Sequence, residues 1–399
     1  LPTVADPEPK PEPASAPSTP KSKRLLGLDA LRGVAVFLMI EQHLGVWLWE
    51  GPKVGERSVD YLGLFIFNAL GGGAAPAFVT LAGMGSSLLV QKRSAGPRSP
   101  DKTLIVRGLV VMAFGYALSL LTPSWFTMRS WFVLHLMGLG MLTTPLWRRL
   151  STPTLLALGA GIIAVSGALQ AHFEVPLALD NAYMAGRAPG SPQQWAGLRI
   201  ALLEGQFPVF PWFSFYLAGL VAGRFVAAPE GLRTFAKLAA GALALGGVGL
   251  ALRVLPSDPA SALGRTTSLR VPFFPASPTL VALLLGVVLL GCLAVMAWDH
   301  RRPLSERNLL VTLGRSSLTL LLLHVWVFRE LTRTDGWWQA HVGPLRWLGQ
   351  HMAWWRALSA QEGLAVLATF LVFAVFASRA WQRVGYRYGA EWLLRKLSP

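Results

Sequence analysis

Charge and cysteine are both scarce. Only 14% of the 399 residues are Asp, Glu, Lys or Arg, against ~25% in soluble domains, which argues against a soluble globular protein. The single cysteine, Cys292, excludes an intramolecular disulfide framework and any cysteine-clustered zinc or iron–sulfur centre. The histidines form no His-Glu-x-x-His or other close ligand pair, so no metal is expected. Gly83-Met-Gly-Ser-Ser does not fit the Gly-x-Ser-x-Gly nucleophile elbow, and no glycine-rich phosphate loop ending in Lys-Ser or Lys-Thr occurs. Serine-hydrolase and nucleotide-hydrolase chemistry therefore drop out. No repeat with a period of roughly 20 to 50 residues is visible, and no matched pair of broken helices marks the two halves, which weakens a transporter reading.

Apolar residues make up 53% of the chain, and they fall into ten runs able to span a bilayer. These are Leu28 to Trp49, Leu70 to Val90, Leu104 to Leu121, Trp131 to Trp147, Pro153 to Gln170, Phe210 to Val226, Phe235 to Val254, Thr279 to Trp298, Leu309 to Phe328 and Leu364 to Trp381. The expected fold is all-α, a polytopic membrane domain over residues 25–399. Residues 1–24 are rich in Pro, Ala, Ser, Glu and Lys and have no apolar stretch, so they read as a disordered cytoplasmic tail and not a signal peptide.

The formal net charge of +16 is spread over short segments between the apolar runs, so it reads as membrane topology, and nucleic acid is not an expected partner. With both termini cytoplasmic, well over half of the 36 Lys and Arg fall on the inner side, as the positive-inside rule requires. Twelve of the 16 tryptophans fall on or near the outer side, including Trp337, Trp338, Trp354 and Trp355. They read either as an interfacial belt or as a surface that stacks on sugar rings.

Ionisable residues inside a span need a partner, water or a task. The first span holds four: Asp29, Arg32, Glu41 and His43. Arg32 and His43 are eleven residues apart, about 20° past three full turns and about 16 Å along a helix axis, so one face carries both. Asp29 and Arg32 have the spacing of an ion pair. Glu41 points well away from His43, so those two form no dyad. Elsewhere, His135 near the outer start of the fourth span, with Arg129 beside it, and His324 in the ninth are acceptor-side candidates. Arg107 and Arg315 stand at inner mouths of spans. Treated as one straight helix, the ninth span puts Arg315 and His324 on opposite faces.

The stretch Arg24-Leu-Leu-Gly-Leu-Asp29-Ala-Leu-Arg32-Gly33 running to His43 resembles the opening helix of transmembrane acyltransferases, with the Arg-x10-His spacing of the acyltransferase-3 pattern. Ala75-Pro76-Ala77-Phe78-Val79-Thr80-Leu81-Ala82-Gly83-Met84-Gly85-Ser86 resembles the second signature of bacterial relatives of heparan-α-glucosaminide N-acetyltransferase. Arg107-Gly108, Phe207-Pro208-Val209-Phe210-Pro211-Trp212, Gly219 to Arg224, and Leu313-Gly314-Arg315-Ser316-Ser317 leading to His324 are similar to later landmarks of that group. The closing Tyr386 to Arg395 is similar to the tail of YeiB-like membrane proteins. One departure stands out: the lysosomal enzymes carry their active histidine in the loop after the first helix, and Gly51 to Asp60 has none.

The resemblance implies an acyl donor, acetyl-CoA, entering from the cytoplasm, and a hydroxyl or amine of an extracytoplasmic glycan or related acceptor on the outer side. His43 then acts as general base or, as the alternative, a transient acyl carrier. Arg32 orients the donor or balances its charge, and Asp29 holds Arg32. Arg32, Arg107 and Arg315 meet donor phosphates, with lipid phosphate the other partner open to Arg315. Lipid is the solvent, a bacterial inner membrane the expected location, and an oligomer is compatible with the sequence. A transporter or flippase for an amphipathic substrate, its path lined by the same polar stripe, is the competing reading.

Overall fold

The computed structural model describes residues 25–51, 63, 70–94, 99–188, 190–191, 195–228, 230–269, 273–332, 336–351 and 357–398. The tail 1–24, the segment 52–60, and Trp354 and Trp355 lie outside the described residues. Among those described there is no strand, only an isolated bridge between Trp49 and Leu358. The architecture is all-α and polytopic, as the apolar runs predict.

The principal helices, in chain order, are α1 (Leu26–Trp47), α2 (Ala74–Ser94), α3 (Pro100–Leu121), α4 (Val133–Trp147), α5 (Thr152–His172), α6 (Val209–Phe225), α7 (Gly231–Leu252), α8 (Pro278–Arg301), α9 (Leu309–Arg315), α10 (Ser317–Trp326), α11 (Ala360–Gln382) and α12 (Ala390–Leu397). Their starts are written locally. Ser151, Ser277 and Asn308 accept from backbone N–H groups in the first turns of α5, α8 and α9, and Ser359 and Glu362 close a reciprocal capping box on α11. Pro100, Pro153 and Pro278 sit in first turns, where the missing N–H costs nothing.

Each of the ten apolar runs lies on helix. Six helices are long and apolar enough to cross a membrane, and a seventh span forms if α9 and the helix after Ser316, which is bent from it by 77°, count as one. Helices α4 and α6 are shorter, at 15 and 17 residues. Helix α1 has the length, but its polar side chains at 29, 32 and 41 to 43 lower its apolarity.

Two buried apolar clusters make the interior. One is built around Trp212, Phe215 and Tyr216 of α6 with Val79 and Met84 of α2 and Val281 of α8. The other gathers Val36, Ile40 and Leu44 of α1 with Leu320 and Phe328. Met137, Met141 and Phe207 pack against both. The candidate site lies along this seam.

Candidate active site

At one end of the seam, α1 crosses α9 closely because both carry glycine at the contact. A methyl on Gly33 would strike the Leu310 carbonyl, and one on Gly314 would strike that of Asp29. The crossing brings three charged side chains together. The buried Asp29 carboxylate meets Arg32 Nη1 at 3.1 Å and Arg315 Nε at 3.7 Å. Arg315 Nη2 also meets Glu306 at 3.1 Å. The start of α1 is tied to the end of α8 by the Gly27 N–H, which donates to Asp299 at 2.9 Å.

A cavity of about 370 Å³ opens beside this cluster, within the usual range for ligand sites. Arg32, Arg107, Arg315 and Arg395 line it, as do Asp29 and Glu391, while Phe78, Met137 and Met141 make its wall apolar. All three arginines singled out in the sequence for donor phosphate therefore share one cavity. Arg395, on α12, was not singled out. Its only signal was its place in the closing motif.

About three turns along α1, His43 lines a smaller cavity of about 70 Å³ with Gln42, Phe78, Phe132, Gln206 and Phe207 among its neighbours. Phe78 lines both cavities. His43 stacks on Trp47 of the next turn, ring centroids 4.4 Å apart, and its Nδ1 lies 2.7 Å from His324 Nε2. His324 is buried, and its Nδ1 lies 2.8 Å from the Leu320 carbonyl oxygen. This geometry sets the proton positions of the neutral pair. A carbonyl only accepts, so His324 Nδ1 carries the proton and Nε2 is a lone pair. His43 Nδ1–H must then donate to it, which leaves His43 Nε2 unprotonated. A histidine held in this tautomer can take a proton from a hydroxyl or amine that comes within reach.

Spacing along the sequence could not reveal this partner. The two histidines are 281 residues apart, and the bend at Ser316 invalidates the straight-helix projection of Arg315 and His324 onto opposite faces. The two residues nevertheless stay separate, Arg315 at the arginine cavity and His324 on His43.

The remaining candidates sit apart from these cavities. Glu41 is buried beside Gly71 and away from the histidine pair, and neither carboxylate oxygen has a hydrogen-bond partner among the described residues. His135 is boxed by Tyr116, Trp131 and Phe132, and its Nδ1 accepts from the Phe132 N–H at 3.3 Å. It lines neither cavity, although Phe132 and Val133 line the smaller one. Arg129 lies exposed on the connection before α4, its side chain against Gly186. Trp337 donates its backbone N–H to Glu330, and the Trp338 indole donates to the Leu121 carbonyl, so both are fixed against the bundle. No metal-ligating group of three His, Cys, Asp or Glu occurs among the described residues.

No curated protein matches the chain. The family described as heparan-alpha-glucosaminide N-acetyltransferase, catalytic, matches residues 24–251. That stretch runs from α1 through most of α7 and contains Asp29, Arg32, His43, Arg107 and His135. More than half of the sequence is covered, and the apolar helices agree with a transmembrane enzyme. The chain belongs to the heparan-α-glucosaminide N-acetyltransferase catalytic-domain family, a family of membrane acetyltransferases.

Proposed function

We propose that this protein moves an acetyl group from cytoplasmic acetyl-CoA to a hydroxyl or amine of an extracytoplasmic glycan or related acceptor. The observation that carries the reading is the hydrogen-bonded relay from the Leu320 carbonyl through His324 to His43, which leaves His43 Nε2 as a base beside a small cavity. Both termini are cytoplasmic in this reading, which puts the arginine cavity on the inner side and His43 toward the outside of what we take to be a bacterial inner membrane.

The arginine cavity suits such a donor. Arg107 and Arg395 have no carboxylate partner among the described residues, so the site keeps positive charge for phosphates. The apolar wall of Phe78, Met137 and Met141 suits an acyl-pantetheine arm. The stretch of α1 from Arg32 to His43, about 16 Å, is comparable with the length of that arm. Arg32 and Arg315, fixed on Asp29, orient the donor, and Phe78 stands between donor and base.

In the transfer step His43 Nε2 takes the proton of the acceptor O–H or N–H as that atom attacks the thioester carbonyl carbon. The new C–O or C–N bond forms, the C–S bond breaks, and the CoA thiolate leaves with the proton returned from His43. Throughout, His43 Nδ1–H keeps its bond to His324, so the imidazolium that forms is already oriented.

The test uses purified protein, labelled acetyl-CoA and a panel of amino sugars and hydroxyl-bearing glycans. Labelled acceptor and free CoA should appear in equal amounts. His43→Ala, once shown to be folded, should still bind acetyl-CoA while transfer falls by ~10² or more, the scale for losing a general base. Transfer at the parental rate in that variant overturns the assignment, and failure of the parental protein to bind acetyl-CoA returns the transporter reading.

A further inference from the structure

The carboxy-terminal helix α12 lies outside the family-matched segment, yet it forms part of the arginine cavity through Glu391, Leu394 and Arg395. Several bonds fix it there. The Glu391 carboxylate accepts from the Leu318 N–H at 2.6 Å, the Thr319 N–H at 3.1 Å and the Thr319 hydroxyl at 2.6 Å, which caps the open first turn of α10. The Ala390 N–H donates to Thr319 Oγ1 at 2.9 Å. At the far end, Arg107 Nε donates to Ser398 Oγ at 3.2 Å. A helix of eight residues is held at both ends against the two helices that frame the cavity mouth.

Charge at the mouth is not balanced. Arg32 and Arg315 have Asp29 and Glu306 as counter-ions. The Glu391 carboxylate is committed to backbone N–H groups and a hydroxyl, and neither Arg107 nor Arg395 has a carboxylate partner among the described residues. Arg32, Arg107 and Arg395 line one cavity, so their like charges face a shared space. Clustered arginines short of counter-ions favour an anion such as phosphate between them. Lys396, the next residue on α12, is held over the Trp392 ring at 4.8 Å and does not line the cavity. Arg395 is exposed, whereas Arg32, Arg107 and Arg315 are half-buried, so Arg395 is the outermost cation of the four.

A CoA thioester that enters arm-first leaves its nucleotide end at the mouth, with the pyrophosphate inward and the ribose 3′-phosphate nearest solvent. We propose that α12 is the donor's 3′-phosphate subsite and that Arg395 is the residue meeting that phosphate, while Glu391 positions the helix. This rests on the acetyl-CoA reading above, which assigns the cavity to a donor but leaves the nucleotide end unplaced.

The experiment compares binding of acetyl-CoA and acetyl-3′-dephospho-CoA to the full-length parental protein and to Arg395→Gln. The parental protein should prefer acetyl-CoA by about fivefold or more, the scale of one partly exposed charge-assisted contact. Arg395→Gln should bind acetyl-CoA about fivefold more weakly and the dephospho donor as before, so the preference disappears. Arg395→Lys, which keeps the charge, should keep part of it. Equal weakening toward both donors, or an undiminished preference in Arg395→Gln, overturns the subsite and leaves the donor assignment standing. Failure of the parental protein to bind either donor overturns the donor assignment itself.

Discussion

In the proposed mechanism, His324 plays toward His43 the part that a carboxylate often plays toward a catalytic histidine. It accepts from Nδ1 and fixes the tautomer, but it adds no negative charge to offset the imidazolium formed during transfer. Orientation is its contribution, and the Leu320 carbonyl in turn orients it. His324→Ala should lower the transfer rate by ~10-fold or more, because the Nδ1 proton loses its acceptor and the tautomer is no longer set. His324→Gln should recover part of the rate, since its amide oxygen can accept near the position of Nε2, and acetyl-CoA binding should be unchanged in both. Steady-state kinetics with separate binding measurements decide this; equal rates for the alanine and glutamine variants would speak against a tautomer role. Because the proposed base works unprotonated, kcat/KM in the parental protein should fall as pH falls and hold as it rises. At this scale the sequence was informative where one helix carried the information. The spacing of Arg32 and His43 put them on one stripe, and they line the two cavities. His324 as the partner was not legible, because the contact joins residues at opposite ends of the chain.

The crossing of α1 over α9 carries Asp29 to Arg315, and its glycines leave no space for a side chain. Gly314→Leu should therefore separate the helices, lower the thermal midpoint and weaken acetyl-CoA binding together, by more than the ~1–3 kcal/mol typical of overpacking, because the clash is with backbone. A thermal scan with and without donor measures both; a folded variant with parental midpoint and parental donor affinity would contradict the crossing. Phe78 of α2 lines both cavities and acts differently. Phe78→Trp should slow transfer more than it weakens donor binding, since the larger ring crowds the acyl-pantetheine arm in the passage but spares the arginines. Helix existence was readable from the apolar runs. The break at Ser316 was not, and the group that caps the first turn of α10 beyond it, Glu391, comes from the distant α12.

Across the whole molecule, the proposal joins a donor cavity at one end of α1 to a base near the other, so reagents from opposite sides of a membrane meet within one protein. The uneven distribution of Lys and Arg argues for the arginine cavity facing the cytoplasm. The tryptophans of the segments read as outer were visible in the sequence, but not what they do, because aromatic anchoring and sugar stacking leave the same signature there. The central claim is transfer across the membrane by His43, and sealed vesicles test it most directly. Protein reconstituted with its arginine-cavity face outward receives labelled acetyl-CoA outside and holds an amino sugar inside. Labelled, acetylated sugar should accumulate in the lumen with the parental protein and fall by ~10² with His43→Ala, the vesicles remaining sealed to CoA. Acetylation of sugar only when it shares a compartment with acetyl-CoA, or lumenal product at parental rate from His43→Ala, would contradict the account.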